Sequence, residues 1–477
     1  MNLVQKVALN TTAQVVGQTL GVLVSLATLR ITTGYLGVDA FGELAIILAV
    51  GGLVVVVSEF GVTTTLAREL AKTPEDTELL AGSLLRFRIL GSLGLVLGTL
   101  LVIPVLPYSQ QVKVGLAIYL VGVLGQSLAT FPKAFFQTEL KLHLQAAVDL
   151  ATKLLALTVV SIVAVFDLGF YALVGLLAAV GLVGFGLAFW FLLRFWRPSL
   201  QWDRDLSSRL TRDAVAVGVV SSIGLLHFRG DAILLSLLAP ARDVGIYAVA
   251  YRFIDQAFVL PGFIVAAVFP ILARRLHEGP GRADETINRA FQVLALASVA
   301  IGFAVLTLAR PIVLTIAGED FEEAVEPARI LAFCLPFIFC GPVFYNLCVA
   351  VNRMRLLIWM AVASLGVNVA LNLILIPRYS YNGAAIATVV SEGVSFAGSV
   401  WIARRSVVFR FDVGFLLRAG IATLVAGGAA ALVWQKSEPL AFLCAESVLA
   451  GAAYFTGAIR IDDLRTALRR PESTDTA

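Results

Sequence analysis

Charge is scarce in this chain: only 14% of its 477 residues are Asp, Glu, Lys or Arg, against about 25% in soluble domains. Its four cysteines, Cys334, Cys340, Cys348 and Cys444, lie inside apolar runs and none forms a CxxC pair. Neither a disulfide framework nor a structural zinc site is indicated. There is no HExxH, no GxSxG in a strand-turn-helix setting and no GxxxxGK[ST], so zinc, serine and nucleotide-driven mechanisms have no residues to stand on, and no cofactor is expected. Strand-length alternation is missing as well. Stretches such as 95–106 and 173–193 are apolar on every face, which excludes a barrel. What the chain does have is hydrophobic surface: 59% of residues are apolar and the mean hydropathy is +0.90. No soluble fold could bury that excess.

Lipid cannot satisfy backbone hydrogen bonds, so apolar runs of roughly 20 residues read as spanning helices. They fall at 11–33, 41–60, 88–107, 112–131, 146–166, 170–193, 214–238, 246–270, 289–310, 328–351, 356–376, 384–402, 416–434 and 440–458. The expected fold is an all-α polytopic membrane protein of about 14 transmembrane helices. The start carries Lys6 alone and lacks a small-residue cleavage site, so the first run is expected to stay as the first helix. Lys and Arg concentrate in alternate loops, for example Arg68, Lys72 and Arg86 to Arg88, Lys133 and Lys141, Arg194 to Arg212, Arg274 to Arg289, and Arg460 to Arg470. The intervening loops hold only Lys113, Arg242, Arg310, Arg329, Arg378 and Lys436. By the positive-inside rule both termini are expected in the cytoplasm, with the protein in the cell membrane among its lipids. The net charge of +4 serves that orientation and points to no nucleic-acid partner.

The segment Leu36-Gly37-Val38-Asp39-Ala40-Phe41-Gly42-Glu43-Leu44-Ala45 resembles Ala239-Pro240-Ala241-Arg242-Asp243-Val244-Gly245-Ile246-Tyr247-Ala248, and each links two adjacent spans. A six-span repeat would enter the membrane the same way twice and give two lobes related by an axis along the membrane normal. Chance recurrence of a short turn before Gly and apolar residues is the competing explanation. The expected organisation is a lobe over 1–213, ending in the basic loop 194–213, a lobe over 214–402, and two appended helices over 403–477.

The run Arg30-Ile31-Thr32-Thr33-Gly34-Tyr35-Leu36-Gly37-Val38-Asp39-Ala40-Phe41-Gly42, followed by Gly61 and Arg68-Glu69, resembles the start of polysaccharide-type flippases of the multidrug/oligosaccharidyl-lipid/polysaccharide exporter superfamily. Asp231 through Val244-Gly245-Ile246-Tyr247 to Pro270 agrees, as do Gly318 to Ala324 and Asn368 to Pro377 continuing into Asn382-Gly383-Ala384-Ala385-Ile386-Ala387. Tyr381-Asn382 departs from the aromatic-Gly pair usual before the Gly-Ala-Ala turn. The resemblance implies a flippase for polyprenyl-pyrophosphate-linked oligosaccharides, with two lobes around a central cavity that opens alternately to each side. It does not name the sugar.

Charged side chains at a helix centre in lipid cost roughly 2.5–3.5 kcal/mol, so each must pair, face water or work. Arg30, Arg229 and Arg252 suit a diphosphate, because a guanidinium donates parallel hydrogen bonds and stays charged when partly buried. Snorkelling or pairing within the helix is the plainer alternative for Arg30 and for Arg252, which has Asp255 three residues on. Arg229 and Asp231 lie about 200° apart around a helix and must find partners elsewhere. Asp231 and Glu392 are the candidate carboxylates for coupling to H+ or Na+, and His227, one turn before Asp231, is a candidate relay. Asp149 and Lys153 are spaced for an ion pair along their own helix. Asp203-Arg204-Asp205 and Asp462-Asp463 read as solvated, and 318–326 as a short helix. Two other functions fit a polytopic chain. A polymerase or ligase of lipid-linked sugars would need a larger external loop than 311–327, and a cation-coupled drug exporter would not need several cavity arginines.

Overall fold

Sixteen α-helices hold nearly all of the described residues in this computed structural model, and no strand occurs among them. The described residues are 3–73, 76–194, 196, 203–257, 259–279, 281–434 and 437–455. The side chain of Lys6, residues Arg197, Lys436 and Asp462-Asp463, and the basic tail from Arg460 to Arg470 lie outside them. In chain order the helices are α1 (Leu3–Val57), α2 (Val62–Lys72), α3 (Thr77–Val102), α4 (Gln110–Ala129), α5 (Lys133–Thr138), α6 (Leu142–Phe166), α7 (Phe170–Leu192), α8 (Arg204–Leu238), α9 (Ala241–Ala257), α10 (Val259–His277), α11 (Asp284–Ile316), α12 (Val325–Ala332), α13 (Leu335–Ala350), α14 (Met354–Ser406), α15 (Val413–Trp434) and α16 (Glu438–Phe455).

Ten helices among the described residues are long and apolar enough to cross a bilayer, or eleven when the bent pair Arg204–Gly224 and Leu226–Leu238 counts as one. Over their described residues all fourteen expected spans nevertheless lie largely on helix: two long helices each contain two of them, while 246–270 is shared between α9 and α10 and 328–351 between α12 and α13. α1 holds 11–33 and most of 41–60 and breaks only at Gly37, whose φ of 69° and ψ of −179° suit a residue without Cβ. α14 holds 356–376 and 384–402 and breaks at Ser380, with φ 45° and ψ −128°. The last span, 440–458, coincides over its described part with α16, which is not among the ten. Outward-facing leucines and valines such as Leu101, Val105, Leu424 and Leu432 remain highly exposed. The protein is a multi-pass, all-helical membrane protein.

The chain condenses into two compact units. The first comprises Met1–Val249, Val313–Ala324 and Ala361–Ala387. Here α1 packs on α4 and α6, and α4 on α7. Small residues bring α4 and α7 together, since a Cβ on Gly122 would stand 2.4 Å from the Ala178 Cα and one on Gly125 2.8 Å from the Gly181 carbonyl. An aromatic knot of Phe131, Phe135 and Trp196 closes over Leu66, Leu84 and Leu210. The second unit comprises Ala250–Ile312, Val325–Met360 and Thr388–Ala477. In it Ala422, Ala426, Ala430 and Ala445 let α15 and α16 lie close beside Phe303 of α11. Arg329 ties this unit inward, donating to the Leu306 carbonyl at 3.0 Å and to Glu438 at 3.0 Å.

Candidate functional site

Arg30 lies on α1 one turn before Gly34, and its guanidinium runs along the helix, 3.1 Å from where a Cβ on Gly34 would stand and 3.6 Å from one on Gly318. Its side chain is exposed and makes no hydrogen bond or ion pair among the described residues. An arginine within an apolar span, with its donors uncommitted, can take an anionic ligand by paired hydrogen bonds.

Beyond the Gly37 break, α1 meets the start of α9 through bare backbone. A Cβ on Gly42 would fall 1.9 Å from the Ala241 carbonyl oxygen, and one on Gly245 would stand 3.0 Å from the Gly42 Cα. Gly42 and Gly245 are the matching positions of the two similar ten-residue segments, so the structure packs one copy of that segment against the other. Polar pairs surround the crossing. Arg242 donates two hydrogen bonds to Glu323, at 2.8 and 3.2 Å, the Ser380 hydroxyl donates to Asp243, and Phe41 sits edge-on to Phe321 at 5.4 Å. A second crossing lies 19 residues further on, in the turn between α1 and α2. There a Cβ on Gly61 would stand 2.5 Å from the Ala214 carbonyl oxygen, and one on Gly218 2.5 Å from the Phe60 carbonyl carbon. Arg68 with Asp213 at 3.3 Å and Ser207 with Ser83 at 2.9 Å flank it.

His227, Arg229 and Asp231 belong to the first unit, on α8 past its bend. Arg229 is exposed, with its guanidinium carbon 5.2 Å from the Phe228 ring centroid, whereas Asp231 is buried. Tyr247 donates its hydroxyl to the Asp231 carboxylate, and the Ala232 amide donates to it at 2.8 Å. Tyr247 was invisible as a partner in the sequence, where it stood only as part of the repeated segment. Arg252 and Glu392, both half-buried, belong to the second unit. The structure therefore groups four of the six candidates in one unit and two in the other.

Several expectations are corrected. Asp149 forms no ion pair with Lys153; it accepts a hydrogen bond at 2.9 Å from Gln145, which lies four residues back and competes for the same helical face. Arg88 is no loop cation but a fully buried residue of α3. It donates to the Ser127 carbonyl at 2.5 Å and the Thr130 hydroxyl at 2.6 Å, while its Nε and Nη1 have no partner among the described residues. The Ser127 hydroxyl joins those of Ser58 at 2.7 Å and Ser92 at 2.8 Å. Asp203, Arg204 and Asp205 are exposed, as expected of solvated residues, and Asp203 also caps α8 by accepting from the Leu206 amide at 2.7 Å. Residues 318–326 are helical as expected, a short 3₁₀ helix over Glu319–Ala324 that runs into α12.

The helical arrangement is shared with solved transporters. A lipid II flippase, MurJ, in an inward closed conformation matches with a TM-score of 0.78 and 13% identity, over 96% of this chain and all of that one. An inward-facing multidrug-resistance MATE family transporter of the MOP superfamily matches at 0.67 and 13% identity, over 81% and 94%. The Vibrio cholerae MATE transporter VcmN, as a point mutant, matches at 0.58 and 15% identity, over 84% and 96%. At these identities the likeness establishes the fold. No curated protein sequence matches this one. The sequence pattern of the family described as polysaccharide biosynthesis protein matches residues 33–326, more than half the chain, and with that match the chain belongs to the polysaccharide biosynthesis protein family.

Proposed function

We propose that this protein flips a polyprenyl-pyrophosphate-linked oligosaccharide from the cytoplasmic to the outer leaflet of the cell membrane by alternating access. The observation that carries the reading is Arg30, an exposed cation inside a membrane span with all its donors uncommitted among the described residues. A diphosphate entering hydrocarbon depth needs such counter-charge. Arg229 and Arg252 are proposed as further contacts, and Asp231, Glu392 and His227 as the groups that couple transport to H+ or Na+. The lobes 1–213 and 214–402 are the proposed moving bodies, with 403–477 as an appendage and both termini cytoplasmic. The crossings at Gly42 with Gly245 and at Gly61 with Gly218 are the proposed gates.

The likeness to MATE transporters supports drug export as the second reading. Deleting the gene separates the two. Accumulation of pyrophosphate-linked sugar on the cytoplasmic leaflet, with loss of surface polysaccharide, is the expected outcome. Unchanged surface polysaccharide with raised drug sensitivity would favour the exporter.

A further inference from the structure

Between the start of α1 and the start of α6, wholly within the first unit, lies a cavity of about 370 Å³. Its walls are unusually polar for a membrane helix pair. Gln14 and Gln18 on α1 face Gln145, Asp149 and Lys153 on α6, and Lys133 of α5 closes one side. The four-residue spacing within each set places it on one helical face. Gly17 and Gly21, on the same face of α1, make the room: a Cβ on Gly21 would stand 2.8 Å from the Lys153 ammonium and 3.2 Å from its Cδ. Lys153 therefore lies across a glycine gap.

The charges do not cancel. Asp149 accepts its hydrogen bond from Gln145, and neither lysine forms an ion pair among the described residues, although both act on the Asp149 charge. Two ammonium groups, each a triple donor with no acceptor, thus share a small space with one carboxylate. Gln145 has given its amide nitrogen to Asp149, and its carbonyl oxygen is buried without a partner among the described residues. An orphaned buried acceptor is costly unless a ligand supplies a donor. The site lacks what an anion with hydroxyl groups carries.

We infer that this cavity is a subsite for a glycosyl phosphate, with the lysines on the phosphate oxygens and the glutamines on the sugar hydroxyls. The inference rests on the flippase reading and adds to it a loading position apart from Arg30. A cationic drug is disfavoured here by two ammonium groups against one carboxylate.

The test uses the full chain carrying Cys444→Ala, which removes the one cysteine that is not buried, and Leu142→Cys as a reporter at the cavity wall. Protein in phosphatidylcholine nanodiscs is labelled with a maleimide in the presence of inorganic pyrophosphate, a short-chain polyprenyl-pyrophosphate N-acetylglucosamine, or added phosphatidylglycerol. Both pyrophosphate probes are expected to slow labelling at least fivefold. Lys133→Gln with Lys153→Gln should abolish the protection, Lys153→Arg should retain it, and Arg30→Gln should leave protection by inorganic pyrophosphate intact. Gln145→Leu, which keeps both cations, should weaken protection by the sugar probe while sparing inorganic pyrophosphate. Absence of slowing by either pyrophosphate probe, or protection that survives loss of both lysines in monodisperse protein, overturns the subsite. Slowing by phosphatidylglycerol alone overturns it as well, making the cavity a bulk-lipid headgroup site. Failure of the flippase reading itself shows separately, as unchanged surface polysaccharide in the deletion strain.

Discussion

Adding one methyl group at position 42 should open one end of the transport path. In Gly42→Ala the new Cβ would fall 1.9 Å from the Ala241 carbonyl oxygen, 2.5 Å from its carbonyl carbon and 3.0 Å from the Arg242 nitrogen. All three are backbone atoms, so no rotamer change relieves the clash. Non-bonded carbon contacts settle near 3.5 Å, which requires α1 and α9 to part by roughly 1 Å or more. Overpacking of this kind typically costs 1–3 kcal/mol, a shift of about five- to 150-fold in the closed-to-open ratio at this crossing. A cysteine at Ala324, which is fully buried beside Phe321 and Glu323, reports the change through its rate of maleimide labelling. Gly42→Ala should raise that rate by a factor in this range. Gly245→Ala, whose nearest contacts are 3.0–3.1 Å, should raise it less, and Gly52→Ala, with nothing within 4 Å, should leave it alone. Equal labelling in Gly42→Ala and Gly52→Ala would refute the idea that bare backbone contact seals this end.

Arg30→Gln removes the cation and should reduce flipping roughly ten- to a hundredfold, the loss of one charge-assisted contact of about 1.5–3 kcal/mol, while Arg30→Lys should be milder. A normal rate at wild-type protein level, measured with lipid-linked sugar in proteoliposomes, would assign Arg30 to structure. Tyr247→Phe removes a hydroxyl that donates to the buried Asp231 carboxylate and should destabilise the protein by about 1.5–3 kcal/mol; an unaltered melting temperature in detergent would show that the bond contributes nothing net. For orientation, cysteines at Arg209 and Arg282 should label only in permeabilised cells and one at Asp320 from outside. Outside labelling at Arg209 would invert the topology.

The positions of the spans were legible because apolar runs of helix length have one physical meaning in lipid. Continuity between spans was not. Hydropathy registers a polar interval near 34–40 and near 377–383, but it cannot tell a loop from a single residue with positive φ, which is what Gly37 and Ser380 supply. Arg88 was misread for a related reason. It stands two residues after Arg86 at the edge of an apolar run, and its burial depends on the Ser127 carbonyl, 39 residues away. Asp149 had two helix-spaced partners, Gln145 behind and Lys153 ahead. Which one it takes is decided by Gly21 on another helix, since that gap gives the Lys153 chain somewhere else to lie.

The glycines of α1 and its extension differ in what they touch, and the difference separates a fixed surface from a moving one. A Cβ on Gly21 would meet the flexible end of Lys153, and one on Gly51 would meet the Tyr119 ring at 2.5 Å. The Tyr119 ring on α4 is interlocked with α1, and pulling such a surface apart would expose apolar area and strand a rotamer fixed by packing, whereas Lys153 on α6 lies along a polar cavity. At Gly42 the neighbours are instead the Ala241 carbonyl and Arg242 amide of α9, and at Gly61 they are the Ala214 carbonyl, the Gly218 amide and the Val217 Cβ of α8. At Gly42 two bare backbones meet, so that contact can part without first withdrawing side chains, whereas the Gly61 crossing is bedded among packed apolar side chains. Polar pairs stand at both crossings, Arg242 with Glu323 at one and Arg68 with Asp213 at the other, beside Phe41 on Phe321 at the first and a buried apolar cluster of Val62, Leu66, Leu210 and Ala214 at the second. Exposed pairs of that kind contribute little to stability and exchange readily with water. By this reasoning the Gly42 contact with α9 is expected to part before the packing of α1 on α4.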